Sequence, residues 1–356
     1  MENDIFRQLQ QQLDQYSMGF PATESGVEIK ILKKLFSEED AGLFLKMTPL
    51  LESAEGIAAR LGNPVGETAD KLEDLVSRGL LFRLAKGDTV KYGAIPFVHG
   101  LFEFQVKRLD KALSALIRQY SREGFGKALN ASASGFLRTI PVQHSIDVKH
   151  NIAPYEDATR ILQNNAAKIV VTDCICRKSS GLVDKGCTKP LEVCFMFGSM
   201  GQYYLDHNMG RKIEIDEALS IMAEANEAGL VTQPASSRNP GGMCNCCGDC
   251  CGPLAALNSH PKPAELVFSN YFARVDTDLC TGCELCLERC QMNAIQMNQA
   301  GQALIDRDRC IGCGLCVTTC PDEALALIQK PEEQLKIPPV NSFEQMMGMA
   351  QKRGIL

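Results

Sequence analysis

The chain has 356 residues, a formal charge of −6, 45% hydrophobic and 22% charged residues, enough for two or three domains that each bury a core. That balance offers no general attraction for nucleic acid or an anionic membrane surface. The 17 cysteines all fall between Cys174 and Cys320, an odd count behind a start (MENDIFRQLQQQLDQ) with no apolar stretch, which argues against a secreted disulfide framework.

The expectation is a cytoplasmic protein whose reduced thiols bind metal, in an oxygen-poor habitat. No run reaches the roughly 18 apolar residues of a membrane span.

Residues 1 to about 35 read as helical, with Ile5, Leu9, Leu13 and Tyr16 on one face. Ser37 is a candidate N-cap for the next helix, with acidic residues in its first turn. SAEGIAARLG predicts a short helix stopped by Gly62, and Thr68 to Arg78 another that exits at Gly79. LLFRLAKGDTVKYGAI predicts two strands around the turn Lys86-Gly87-Asp88.

Three helices and a hairpin in this order resemble a winged helix, over about residues 38 to 98. The helix that would enter a DNA groove carries Glu67, Asp70, Glu73 and Asp74 against Lys71 and Arg78. Phosphate contacts need the opposite sign, so docking to a larger complex is the expectation and DNA binding is not.

An amphipathic stretch from His99 to about Leu129 reads as a connecting helix. KIVVT at 168–172 predicts a buried strand leading into the first cysteines, and Asp216 to Gly229 a helix. After the Pro338-Pro339 linker, Ser342 and Gln345 fit the capping box of a terminal helix whose methionines pack back on the body. Overall the chain is expected to be α+β. A helical, winged-helix-like part with its connecting helix spans 1–130, and a cysteine-rich, metal-binding α/β region 131–263. A two-cluster ferredoxin fold spans 264–330, and a linker with a C-terminal helix 331–356.

The last eight cysteines form a doubled motif. Cys280-x2-Cys283-x2-Cys286-x3-Cys290 is followed by Cys310-x2-Cys313-x2-Cys316-x3-Cys320-Pro321. Three cysteines spaced three apart on a loop can reach three corners of one cubane, while the fourth faces the other cluster. One [4Fe–4S] cluster is therefore expected on Cys280, Cys283, Cys286 and Cys320, and the other on Cys310, Cys313, Cys316 and Cys290. Gly282 and Gly312 would let the backbone pass close to the sulfides. The segment resembles two-cluster bacterial ferredoxins along its whole length. It departs from them at Gln291, where that family usually has proline.

Nine cysteines precede the doubled motif: Cys174, Cys176, Cys187 and Cys194, then Cys244, Cys246, Cys247, Cys250 and Cys251. So many in under eighty residues are expected to hold metal. A cluster on Cys174, Cys176, Cys187 and Cys194 with a second centre in CNCCGDCC is one grouping; four-thiolate zinc and redox-active thiols are the alternatives. Arg177, Lys178, Arg211 and His207 lie nearby in sequence and would offset thiolate charge. His99, His144, His150 and His260 carry no motif.

VTDCICRKSSGLVDKGC, LEVCFMFG and MCNCCGDCCGPL make residues 165 to 329 resemble the multi-cluster 4Fe–4S dicluster domain proteins of anaerobic bacteria and archaea. The resemblance implies electron transfer within a larger redox system. The expected function is a cytoplasmic iron–sulfur electron-transfer protein or subunit with redox partner proteins or a larger oxidoreductase complex. Its C-terminal clusters would exchange electrons with a further metal centre, more [4Fe–4S] or zinc, in the middle region. A redox enzyme with its active site in that region and a redox-sensing winged-helix regulator are the alternatives. No G-x-G-x-x-G follows a strand, so any nicotinamide or flavin would come from a partner.

Overall fold

The computed structural model describes residues 4–124, 126–128, 137–142, 145 and 153–355. The chain mixes helix and sheet. Its first 35 residues give two helices, α1 (Ile5–Asp14) and α2 (Val27–Leu35). Gly19 and Gly26 have positive φ in the bend between them.

Ser37 caps α3 (Glu38–Phe44) in a capping box with Asp40. Then come α4 (Ala54–Leu61), α5 (Val65–Ser77) and the hairpin β1 (Phe82–Lys86) and β2 (Thr89–Gly93). Gly62 and Gly79 close the two helices in the left-handed region, where glycine alone has no steric cost.

The connecting stretch is not one helix. A tight turn at Phe97–Leu101 places His99 at φ 58°, a short 3-10 turn follows at Glu103–Gln105, and Asp110 then caps α6 (Lys111–Glu123). Apolar periodicity runs through all three pieces, but it does not report the backbone reversal at His99 and Gly100. His144 and His150 lie outside the described residues.

After α7 (Ala158–Asn164), the middle of the chain builds a five-stranded sheet. Its strands are β3 (Ile169–Asp173), β4 (Glu192–Phe197), β5 (Arg211–Ile213), β6 (Val231–Pro234) and β7 (Gly242–Cys246), in the order β5-β3-β4-β7-β6. Every neighbouring pair is antiparallel. Helices α8 (Ile175–Leu182), α9 (Gly198–Asp206) and α10 (Ile215–Glu227) connect them.

Alternation along the strands divides the sheet into two faces. Ile169, Val171, Val193 and Phe195 pack with Ala218, Ile221 and Met222 of α10. Val170 on the other face joins the core of the N-terminal half, together with Tyr203 and Tyr204 of α9. The Tyr203 hydroxyl donates to the Leu81 carbonyl (2.9 Å) and its ring lies 4.3 Å from that of Phe104. The N-terminal half and the middle sheet therefore share one core.

Helices α11 (Gly252–Ser259) and α12 (Pro263–Leu266) lead into the doubled motif. There β8 (Tyr271–Val275) pairs with β11 (Leu325–Gln329), and β9 (Ile295–Met297) with β10 (Ala303–Ile305), both antiparallel; α13 (Leu285–Arg289) lies between. The last helix, α14 (Ser342–Lys352), is capped one residue earlier than expected. Asn341 accepts from Glu344 N–H and the Glu344 carboxylate accepts from Val340 N–H. It returns to the body through buried Met349 and through Arg353, which pairs with Asp14 at 3.2 Å.

Among the described residues no helix is long and apolar enough to cross a membrane.

Candidate metal centres

The doubled motif folds so that its cysteines line two cavities. One is lined by Cys280, Cys283, Cys286 and Cys320. The other is lined by Cys290, Cys310, Cys313 and Cys316. Each cavity draws one of its four cysteines from the other half of the motif.

Backbone amides point at the sulfurs: Ala303 N–H to Cys280 (3.4 Å), Ala294 N–H to Cys290 and Ala273 N–H to Cys310 (both 3.3 Å). Such donors fit anionic thiolates on a cluster. Burial, with the nearby Cys290 and Cys310 adding to it, pushes the Cys313 thiol up to about 12, so a thiolate at that depth needs a cation beside it. Gly282 and Gly312 have φ of 77° and 66°, and a Cβ at either would strike the carbonyl of Gly301 or Tyr271.

Residues 279–324 match the 4Fe–4S dicluster domain family. This segment is a ferredoxin-like, iron–sulfur part of the chain, and with the surrounding cysteines it supports an iron–sulfur electron-transfer role. No curated protein and no solved structure matches the chain.

The two cavities of the dicluster segment differ in cover. Cys283 is exposed, and Leu279 and Leu285 beside the first cavity are 51% and 43% exposed. At the second cavity the Cys313 carbonyl accepts from Val142 N–H (2.9 Å), and Val142, Ile311 and Leu315 form an apolar cluster with Cys246 and Cys251. The second cavity thus faces the middle cysteines and the first faces outward.

The nine middle cysteines divide six and three. Cys174 follows β3 and is the N-cap of α8, Cys194 lies on β4, and Cys244 and Cys246 lie two apart on one face of β7. Cys251 is the N-cap of α11. Because β3, β4 and β7 are neighbours, these thiols converge with Cys176 into a closed ring. Cys174 touches Cys176 and Cys194, Cys244 touches Cys194 and Cys246, and Cys251 touches Cys176 and Cys246.

Contacts from their neighbours pull Cys174, Cys244 and Cys251 down and push Cys176, Cys194 and Cys246 up. Six thiolates packed together would repel strongly unless multivalent cations joined them.

Arg177 is the principal cation here. It is buried, its Nη1 donates to the Asn245 carbonyl (3.0 Å) and approaches the Cys247 sulfur (3.8 Å), and Cys174 and Cys194 raise its pKa. Its Nε and Nη2 are buried without a hydrogen-bond partner among the described residues. Unpaired buried donors are costly, and these fit the sulfur acceptors of a bound centre. Lys178 and Arg211 instead pair with Asp173, Glu192 and Glu217, and the His207 ring lies 4.5 Å from that of Tyr203, tilted 51° to it.

Two residues carried no sequence signal. His99, turned by its left-handed backbone, hydrogen-bonds Cys244. Asn245, buried within the CNC stretch, donates to the Val193 carbonyl (2.8 Å) and accepts from Thr232 (3.1 Å), fixing β7 beside β4 and β6.

Cys187 does not join Cys174, Cys176 and Cys194. Its sulfur lies 3.9 Å from that of Cys247, next to Asp249 and Cys250. Cys187 belongs to the loop between α8 and β4.

Proposed function

We propose that this chain is an iron–sulfur electron-transfer protein or subunit in which two [4Fe–4S] clusters connect an outside redox partner to a further iron–sulfur centre in the six-thiol ring. The observation that carries it is the shared apolar cluster of Cys246, Cys251, Cys290, Cys310 and Cys313. Cys280, Cys283, Cys286 and Cys320 would hold the outer cluster, and Cys310, Cys313, Cys316 and Cys290 the inner one.

When bound, these groups supply one-electron redox chemistry. The chain's own residues do the rest. Val142, Ile311 and Leu315 keep water from the inner site, while exposed Cys283 and Leu279 leave the outer one open to a partner. Arg177 and His99 are the polar groups beside the ring. The helices and hairpin of residues 38–98 are read as a winged-helix-like docking module. Its acids Glu73 and Asp74 already pair with Arg83 and Arg78, which favours protein over DNA. A cytoplasmic, anaerobic setting suits such a chain.

Anaerobic purification with iron and sulfide analysis and EPR tests this reading. About twelve or more irons per chain are expected, falling to about eight in a C174S/C244S variant. A wild-type protein holding about eight irons would remove the middle centre.

A redox enzyme with its active site at the ring is the second reading. Glu103 supports it: the carboxylate accepts from Gly100 N–H (3.0 Å) next to His99, and burial pushes it up to about 7, a range suited to proton transfer. Turnover with a low-potential donor, lost in E103Q at unchanged iron content, would favour the enzyme.

A further inference from the structure

We propose that Cys187, Cys247, Asp249 and Cys250 bind one thiophilic divalent ion of the zinc class, separate from every iron–sulfur centre. The argument is one of size. The four ligand atoms all lie within 4.8 Å of one another, and the Cys187 and Cys247 sulfurs are 3.9 Å apart. A tetrahedral ion with bonds of about 2.3 Å to sulfur and about 2.0–2.2 Å to oxygen sets its ligands about 3.5–3.8 Å apart. Thiolates on a cubane must straddle a core of four irons and four sulfides and stand much farther apart. The Cys187 group is too tight for such a core.

The chemistry of the donors agrees. Three thiolates and a carboxylate make a closed set of four, the pattern of a structural site. Arg177 approaches Cys247 from the ring side at 3.8 Å, a hydrogen bond of the kind that tunes a metal-bound thiolate. Asp249 is the exposed member and faces solvent, whereas Cys247 and Cys250 are buried.

The location gives the ion a task. Cys187 comes from the loop after α8, and the other three ligands from the turn between β7 and α11, so one ion joins segments sixty residues apart. Gly248 in that turn donates its N–H to the Gln291 side chain of the dicluster segment (2.9 Å). The ion would therefore fix the turn on which the inner half of the dicluster segment rests.

The full chain, purified anaerobically from zinc-supplemented cells, is analysed for zinc and iron by mass spectrometry. About one zinc per chain is expected. C187S and C250S should each lose it while iron content and cluster EPR signals stay as in the wild type. A loss of about four irons in C187S, with zinc unaffected, would overturn the proposal in favour of a cubane. A Cys187–Cys247 disulfide in the anaerobic protein would overturn it as well.

Cobalt(II) on the wild-type chain supplies a reading that needs no variant. Thiolate-to-cobalt absorption should saturate at about one equivalent, leave the iron in place and be displaced by zinc. Absence of that absorption in zinc-stripped protein refutes the site. Because zinc and cobalt are counted apart from iron, failure of the middle iron–sulfur centre and failure of this site give different results.

Discussion

Replacing Gln291 with alanine should loosen the dicluster segment from the middle sheet. The side chain accepts from Gly248 N–H at 2.9 Å and donates to the Gly229 carbonyl at 3.0 Å. Each bond contributes about 0.5–1.5 kcal/mol net, and the stranded, half-buried Gly248 N–H keeps part of its desolvation penalty. Freed side-chain entropy offsets some of this. The expected cost is about 1–3 kcal/mol, or about 5- to 150-fold in the equilibrium for local opening.

Amide hydrogen exchange reads that opening. Gly248 will exchange faster in any case because its acceptor is gone. The informative amide is Val142, whose bond to the Cys313 carbonyl spans the same interface from another element. If docking is lost, both accelerate together. If Val142 keeps its wild-type protection while Gly248 accelerates, Gln291 is only a local hydrogen-bond partner and the reasoning fails. Arg289, which donates to the carbonyls of Asn226 and Glu227 at 2.5 Å, shares the interface. R289A and Q291A should therefore combine non-additively.

Two further changes test other parts of the structure. G312A should cost the inner cluster, seen as a loss of about four irons, because the new Cβ would meet the Tyr271 carbonyl at φ 66°. G301A has φ 74° but open space around it, so it should cost only about 1–2 kcal/mol of backbone strain and keep all its iron; equal iron loss in both would refute the close-packing account. In the N-terminal half, burial would raise the Asp40 carboxyl, but hydrogen bonds from Arg78 and Ser37 outweigh it and lower it to about 2. A carboxyl that titrates lower when folded contributes its stability above its unfolded pKa and loses it only as pH falls toward 2. With Asp40 and Arg78 side chains 15% and 24% exposed, the pair should couple by about 1–2 kcal/mol after solvent screening. A D40N/R78M double-mutant cycle from denaturant melts should give the same coupling at about pH 7 and pH 5; its disappearance by pH 5 would refute the assignment.

Local chemistry made much of this chain readable in advance. Ser37, Gly62 and Gly79 mark helix ends because capping and left-handed φ are properties of a few neighbouring residues. The doubled cysteine spacing marks the dicluster segment, since a short loop round a compact cluster leaves few alternatives. Contacts between distant segments have no such local trace. Apolar periodicity continued through His99 and hid the turn that aims it at Cys244. Spacing alone grouped Cys187 with Cys174, Cys176 and Cys194, whereas the antiparallel order β3-β4-β7 brings Cys244 and Cys246 to the ring and leaves Cys187 with Cys247. Gln291 looked like a missing proline until the fold set it against Gly248 and Gly229. The residues that can bind metal are thus written in the sequence as residue types and short spacings. Which thiols meet at each centre, and which centre faces the next, depends on strand order and lobe docking, set by packing between segments far apart in the chain.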